Sequence, residues 1–127
     1  MASIQQEKAE QACRILEEMG IDAWLVWVRE TSQIADPVLP LILDGDLVWQ
    51  SGLLFARSGE KVAIVGSFDA DAIGNTGIFD KVIPYVESVE DFLLEELERL
   101  NPEQIAVNYS RDNVAADGLT VGMYQIL

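Results

Sequence analysis

Histidine is absent from the sequence, and cysteine occurs once, at Cys13. Without an imidazole, the chain has no histidine base to activate Cys13 as a nucleophile, so we expect Cys13 to pack on an apolar helix face. A single cysteine excludes an internal disulfide framework and fits a reducing compartment. Together with the absence of a charged and then apolar leader, this predicts a cytoplasmic protein.

Basic residues are also scarce, since eight Lys and Arg stand against 22 Asp and Glu, for a net charge of −14. Such a charge repels nucleic acid and anionic membranes, and it favours solubility. Long hydrophobic runs are missing as well, because none approaches the ~20 residues that a membrane helix needs. With half of its 127 residues hydrophobic, the chain is long enough to form one domain, residues 1–127, around its own core.

An unbroken apolar run from Ala23 to Val28 is the strongest strand signal in the sequence. A short run rich in Trp and Val is typical of a strand buried on both faces, so we expect it at the centre of a sheet. Trp24 and Trp27, three residues apart, then point to opposite faces.

Alternating strand and helix signals along the rest of the chain predict a three-layer α/β/α sandwich with a mixed sheet. The expected helices begin at a Ser3 cap and end at Gly20, begin at Pro37 after an Asp36 cap, begin near Phe68, and begin at Ser88. The other expected strands are 47–50, a hairpin of 53–57 with 61–65, an edge strand of 81–86 that contains Pro84, and 104–107.

The helix that begins at Ser88 is amphipathic. Its apolar stripe should be buried, and its acidic side chains should form a solvated face made of Glu90, Asp91, Glu95, Glu96 and Glu98. Several acids on one helix do not make a metal site without inward-facing partners.

Arg29, Glu30 and Asp36 form the best polar cluster near a strand end. Loops that leave the end of a central strand carry binding groups in α/β folds, although a salt-bridged loop is the commoner outcome. Two other candidates are weaker. The segment 44–46 reads as a turn because a calcium loop needs further ligands, and Asp69 and Asp71 would repel a phosphate at Gly66.

The segment that follows the last predicted strand carries a family resemblance. Asn108-Tyr-Ser, Asp112-Asn and the run from Ala115 to Tyr124 resemble the end of the N-terminal domain of creatinase, prolidase and aminopeptidase P proteins. The order of elements is similar over almost the whole chain. The resemblance implies a ribonuclease H-like sheet of about five strands, one of them antiparallel. The chain departs from the family at 36–43, where many relatives have a Tyr-Leu-Thr-Gly-Phe-like segment.

The resemblance also implies where the chemistry lies. In this family a separate C-terminal domain binds two divalent metal ions (Mn, Co or Zn) through two Asp, one His and two Glu, and hydrolyses peptides next to proline. We therefore expect no catalytic, cofactor or metal residue in 1–127, and the apolar end at 123–127 suggests an excised domain. The N-terminal domain of this family supports oligomerisation and limits substrate access.

Three functional hypotheses follow. The first is the non-catalytic N-terminal domain of an Xaa-Pro aminopeptidase or dipeptidase, partnered by its own catalytic domain and by further copies in a homodimer or larger assembly. Arg29, Glu30 and Asp36 are then candidate contacts with that domain or a neighbouring subunit. The second is a stand-alone interaction or regulatory module. The third is an acidic-site nuclease, for which Asp44, Asp69 and Asp71 would have to converge.

Overall fold

Five strands and five helices form the part of the chain that the computed structural model describes, residues 3–29, 31, 36–43, 45–113 and 119–127. No helix in those residues is long and apolar enough to cross a membrane. The elements in chain order are α1 (Ile4–Met19), β1 (Ala23–Val28), α2 (Leu39–Ile42), β2 (Ser51–Ala56), β3 (Lys61–Gly66), α3 (Ala70–Asn75), β4 (Lys81–Tyr85), α4 (Glu90–Leu100), β5 (Ile105–Val107) and α5 (Val121–Ile126).

The strands form one mixed sheet in the order β4-β3-β2-β1-β5. Strand β2 is antiparallel to both of its neighbours, whereas β3 with β4 and β1 with β5 are parallel pairs. The expected mixed α/β sheet with one reversed strand is thus confirmed. The expectation that β1 is central is wrong in detail, because β1 lies between β2 and β5, and β2 is the middle strand.

Two apolar cores cover the two faces of the sheet, as the three-layer prediction requires. One core joins the sheet to α1, α2 and α3, and it includes Cys13, Val26 and Phe55. The other joins it to α4 and α5, and it includes Leu25, Leu54 and Met123. Trp24 and Trp27 pack on opposite faces, so β1 contributes to both cores.

Local capping signals place α1 as predicted. The Ser3 side chain accepts a hydrogen bond from the Gln6 amide, and the Gln6 side chain accepts one from the Ser3 amide, which completes a capping box. At the other end Gly20 has a φ of 70°, which favours glycine. Cys13 is buried on the inner face of α1, and this burial raises the pKa of its thiol. The packing role predicted for Cys13 is confirmed.

The predicted hairpin and edge strand are also confirmed. Strands β2 and β3 pair antiparallel across residues 57–60, where Gly59 has a φ of 100°. Strand β4 lies at the sheet edge, and Pro84, which has no N–H for a ladder, stands opposite Val65.

The predicted strand at 47–50 does not form. Its backbone groups form hydrogen bonds with the side chains of Thr31 and Asp69 and with the Thr31 amide, and not with a neighbouring strand. The Leu47 amide donates to Thr31 Oγ1 at 2.8 Å, the Leu47 carbonyl accepts from the Thr31 amide, and the Val48 amide donates to Asp69 Oδ2 at 2.9 Å. These partners come from distant positions, so a local strand pattern did not reveal them.

The helix predicted from Pro37 begins two residues later, at Leu39. Asp36 still accepts a hydrogen bond from a nearby amide, because its Oδ1 lies 3.0 Å from the Val38 nitrogen. Residues 37 and 38 form a turn, and α2 is only four residues long. Asp36 therefore caps the turn that leads into the helix.

Glu96 is the clearest exception to the predicted solvated face of α4, since only 2% of it is exposed. Its carboxylate bonds to Lys81 Nζ on β4 and to Arg99 Nε at 2.7 Å. Arg99 also holds both carboxylate oxygens of Glu60, at 2.7 and 3.1 Å. Burial raises the pKa of Glu96, but hydrogen bonds from Lys81 and Arg99 outweigh it and keep the pKa below its ordinary value.

Gly66→Ala should destabilise the fold. The new methyl group would lie 2.5 Å from Cε3 and 3.0 Å from Cβ of Trp49, so a packed ring must move. Overpacking of this kind costs about 1–3 kcal/mol, measured as a lower urea midpoint. Gly74→Ala is the matched control, because nothing lies within 4 Å of its added methyl group and alanine is the better helix former. Equal effects of the two substitutions would contradict the proposed contact.

Glu96→Gln should lower the free energy of unfolding at pH 7 by about 1–2 kcal/mol, because charged hydrogen bonds to Lys81 and Arg99 are weakened. Since the folded-state pKa of Glu96 is lowered, its contribution is complete above the ordinary glutamate pKa of ~4.3. That contribution is lost as the pH falls through the lowered folded-state value.

Urea unfolding between pH 7 and pH 3 tests this expectation. The Glu96→Gln protein should lose less stability on acidification than the wild type. Glu95→Gln removes the same charge from an exposed position on α4, and it should leave the acid dependence unchanged. Parallel acid limbs for the wild type and Glu96→Gln would show that the buried carboxylate is not the titrating group.

Candidate contact site at the carboxyl ends of the strands

The carboxyl ends of β1, β3, β4 and β5 meet at one edge of the sheet, because these strands point in the same direction. Arg29 and Asp69, which follow β1 and β3, therefore lie at this edge with the chain that enters β2, whereas Asn108 follows the shorter β5 beside the middle of β1. This is the edge at which open α/β sheets place their binding groups.

Arg29 is exposed at the end of β1. Its guanidinium approaches α5, since a Cβ on Gly122 would lie 3.7 Å from Arg29 Nη2. Within the described residues Arg29 forms none of the ion pairs. The side chain is therefore a cation that is open to contact with another surface.

Asp36 is buried, with 4% of it exposed, and it bonds within the chain. While Oδ1 accepts from the Val38 amide, Oδ2 accepts from Asn108 Nδ2 at 2.9 Å. The Asn108 oxygen in turn accepts from Trp24 Nε1 at 2.8 Å. This chain of hydrogen bonds ties the segment before α2 to the start of β1 and to the residue that follows β5.

The three predicted contact residues thus differ in position. Arg29 lies on the surface, Asp36 lies inside, and Glu30 falls outside the described residues. The structure does not bring Arg29 and Asp36 into one exposed cluster. Their role as contacts with another domain or subunit stays a prediction, for which Arg29 has the accessible geometry.

Thr31 and Asp46, which lie in the segment between β1 and β2, form a hydrogen bond with each other. Thr31 is buried, and its hydroxyl donates to Asp46 Oδ1 at 2.9 Å while it accepts from the Leu47 amide. Asp46 therefore bonds to a distant residue, and the turn predicted for 44–46 stays a prediction because Asp44 lies outside the described residues.

Three aromatic side chains gather where β3 and β4 end. Trp49 packs over Gly66, with its ring centre 5.6 Å from Phe68 and 5.8 Å from Tyr85. The Tyr85 hydroxyl donates to the Gln50 carbonyl. Burial, and then the negative charge of Asp69, raise the pKa of Tyr85, so Tyr85 acts here as a neutral hydrogen-bond donor rather than as a base.

The start of α3 is not a phosphate site, in agreement with the sequence. Asp69 is buried, and its carboxylate accepts a hydrogen bond from the Val48 amide. Asp71 lies in the first turn of the six-residue helix α3. Both negative charges would repel an anion. The described segments hold no group of three or more His, Cys, Asp or Glu residues able to bind a metal ion. With Asp44 outside those segments, the nuclease hypothesis gains no support.

An apolar groove of about 400 Å³ opens between α1 and α2. Trp24 and Ala106 line it from the sheet, and Ile15, Met19 and Leu41 line it from the helices. Because few polar groups face it, the groove suits apolar side chains and not a polar reaction centre.

Solved structures share this arrangement of strands and helices. The N-terminal domain of an Xaa-Pro dipeptidase from Lactobacillus brevis matches with a TM-score of 0.68 and 14% identity, over 94% of this chain and 84% of that one. The creatinase/prolidase N-terminal domain of an X-Pro dipeptidase from Streptococcus pyogenes matches with a TM-score of 0.69 and 16% identity, over 96% of this chain and 86% of that one. The chain has the creatinase/prolidase N-terminal domain fold.

A longer solved chain shows how much of such a protein the fold represents. The X-Pro aminopeptidase from Thermotoga maritima matches with a TM-score of 0.64 and 19% identity, over 92% of this chain but only 29% of that one. The fold implied by the sequence resemblance is therefore confirmed. No family model matches the sequence, and no curated protein matches it.

Sequence reasoning missed most of the polar network at this edge. In the sequence Asn108 stands out only as part of a family-like segment, and no local pattern marks Thr31. The signal was weak, because Trp24 and Asn108 are 84 positions apart and Asn108 and Asp36 are 72 apart. Even a partly buried tryptophan such as Trp24 favours a partner for its indole N–H, and that requirement is the clue that the sequence offers.

Asn108→Ala should destabilise the protein by about 1–3 kcal/mol, because it leaves Trp24 Nε1 and Asp36 Oδ2 without their partner. A double-mutant cycle with Trp24→Phe, which removes the indole N–H, isolates the bond between the two side chains. We expect a coupling energy of at least ~0.5 kcal/mol in urea unfolding. Additive losses would mean that the bond contributes no stability of its own.

Proposed function

We propose that this chain is the non-catalytic N-terminal domain of an Xaa-Pro metallopeptidase, an aminopeptidase or dipeptidase. The observation that carries the proposal is the match of 92–96% of the chain to solved Xaa-Pro peptidase structures with TM-scores of 0.64–0.69. The chain spans 29% and 30% of two of the longer solved peptidases, from Thermotoga maritima and Bacillus anthracis. The remainder of such a chain is where the reaction would take place.

The residues present do not fit a metal centre of this kind. The chain contains no histidine, and the described segments bring no three potential ligands together. Divalent ions that activate water need convergent carboxylate and imidazole ligands. We therefore assign the two ions (Mn, Co or Zn) to a catalytic domain beyond this chain, and we assign no step of the hydrolysis to residues 1–127.

The domain would serve assembly and access instead of chemistry. In the parent peptidase its partners are the catalytic domain, further copies of the protein in a homodimer or larger oligomer, and a peptide substrate whose entry it restricts. Arg29 is the best placed of the three predicted contact residues, since its guanidinium is exposed and outside the described ion pairs. The single cysteine favours a cytoplasmic location.

Peptide assays on the parent protein and on residues 1–127 test this function. The parent should cleave Xaa-Pro peptides, and it should lose that activity when a chelator removes the divalent metal. Purified residues 1–127 should cleave none of them. A peptide with alanine in place of proline serves as the specificity control for the parent.

Two outcomes would decide against the proposal. Xaa-Pro cleavage by residues 1–127 alone would place a catalytic site in this domain. If the parent chain lacks the two Asp, one His and two Glu ligands, the peptidase function is excluded. That result would favour the stand-alone interaction module of the same fold.

A further inference from the structure

Helix α1 carries an exposed apolar stripe beside the face that it buries in the core. Ile4, Ile15 and Met19 are 66%, 43% and 66% exposed, and at 3.6 residues per turn they lie on one side of the helix. Leu41 of α2, which is 49% exposed, adjoins this stripe across the apolar groove. Adjacent exposed apolar side chains of this kind mark interaction surfaces.

Two exposed cations, Lys8 and Arg14, flank the stripe. Lys8 lines the groove, where its Nζ donates a hydrogen bond to Gln11 Oε1 at 3.1 Å. Neither cation belongs to an ion pair among the residues that the structure describes. In a chain with 22 acidic and eight basic residues, both cations are therefore available to acids on another surface.

A second copy of α1 has the apolar side chains to cover this stripe. Two copies of a helix can pair antiparallel about a two-fold axis, so that each contact occurs twice. If the axis passes between Gln11 and Ala12, Ile4 of one copy is level with Met19 of the other. Apolar side chains then meet apolar side chains at both ends of the contact.

The same antiparallel pairing is complementary in charge. Lys8 of one copy is level with Ile15 of the other, and Glu18 of that second copy follows one turn later. Arg14 lies within two positions of the level of Glu7 of the second copy. All four charged side chains are exposed, and the two-fold axis repeats each pair. A parallel pairing in the same register would instead place Lys8 beside Lys8, which is unfavourable.

We propose that the α1 surface, defined as Ile4, Lys8, Arg14, Ile15 and Met19, binds a second copy of this chain through an antiparallel two-fold contact. The contact covers the apolar stripe of both copies and pairs Lys8 with Glu18. The inference rests on the part of the proposed function that assigns further copies to the assembly, and it names the surface through which they meet.

Charge and size make this contact a weak one. Each copy has a net charge of −14, but the acids of α4 lie on the other face of the sheet from α1. Salt at about 0.15 M screens charges that are more than ~8 Å apart. A helix of 16 residues is ~24 Å long, so two such helices bury less area than a standard interface. The dimer should therefore form at high protein concentration.

Sedimentation equilibrium of residues 1–127 in about 0.15 M salt, from about 10 μM to about 1 mM protein, tests the contact. The domain can be studied by itself, because related N-terminal domains have been solved as separate chains. The mean mass should rise from the 14.1 kDa of one chain toward twice that value. A mass of 14.1 kDa at every concentration would overturn the inference.

Two matched substitutions test the apolar part of the surface. Met19→Gln and Leu94→Gln each replace an apolar helix residue that is largely exposed, by 66% on α1 and 57% on α4. Met19→Gln should weaken dimerisation at least about fivefold, because each dimer loses two apolar contacts, whereas Leu94→Gln should not. Neither should alter the melting temperature measurably. Equal effects of the two on dimerisation would contradict the assigned surface.

A charge exchange tests the antiparallel register. Lys8→Glu should weaken dimerisation at least about fivefold, because it places a carboxylate near Glu18 of the second copy. Addition of Glu18→Lys should restore the dissociation constant to within about twofold of the wild type. Glu17→Lys makes the same change in net charge outside the α1 surface, so it should not rescue Lys8→Glu. Rescue by neither substitution, or by both, would refute the pairing of Lys8 with Glu18.

The outcomes also distinguish the inference from the proposed function. If the parent cleaves Xaa-Pro peptides but residues 1–127 stay monomeric, only the α1 contact is wrong. If residues 1–127 dimerise through α1 and the parent cleaves no Xaa-Pro peptide, the contact stands and the peptidase function fails.

Discussion

The reversed strand β2 is the constraint on which the rest of the structure depends. All six of its residues are buried, and it pairs with β1 on one side and β3 on the other. Because β1 and β2 are antiparallel neighbours, the chain between them leaves and re-enters the sheet at the carboxyl end of β1. Arg29 and Gln50 therefore lie at the edge where β3 and β4 also end, and α2, between them, packs on one face of the sheet.

Side chains, and not strand pairing, hold the described part of the segment between β1 and β2 in place. Asp36 and Asn108 attach its first half to β5, and Thr31 and Asp69 hold the amides of Leu47 and Val48. Buried backbone groups need partners, and a segment that joins no sheet must find them among side chains. The sequence pattern suggests a binding loop, but most of these polar residues form internal hydrogen bonds that hold this edge of the domain together.

The sequence predicted those features whose causes are local. The Ser3 and Gln6 capping box, the turn at Gly59 and the edge position of Pro84 each depend on residues a few positions apart, and the structure has all three. Glu96 and the segment 47–50 were predicted wrongly because their partners are remote. Glu96 meets Lys81 from β4, 15 positions away, and Arg99 then reaches Glu60, 39 positions away. Helical periodicity alone predicts that a glutamate at such a position is exposed. It carries no information about a cation on another element that can pair with the glutamate and bury it.

The same reasoning separates the candidate contact residues. An ionised side chain contributes to an interface when it is accessible and its charge is not already balanced. Asp36 fails this condition, since both of its oxygens have partners inside the domain, whereas Arg29 is exposed and takes part in none of the ion pairs among the described residues. Arg29 also lies beside helix α5, which contains no charged residue. The buried member of the predicted cluster therefore shapes the edge, and the exposed member has the geometry for contact with a partner.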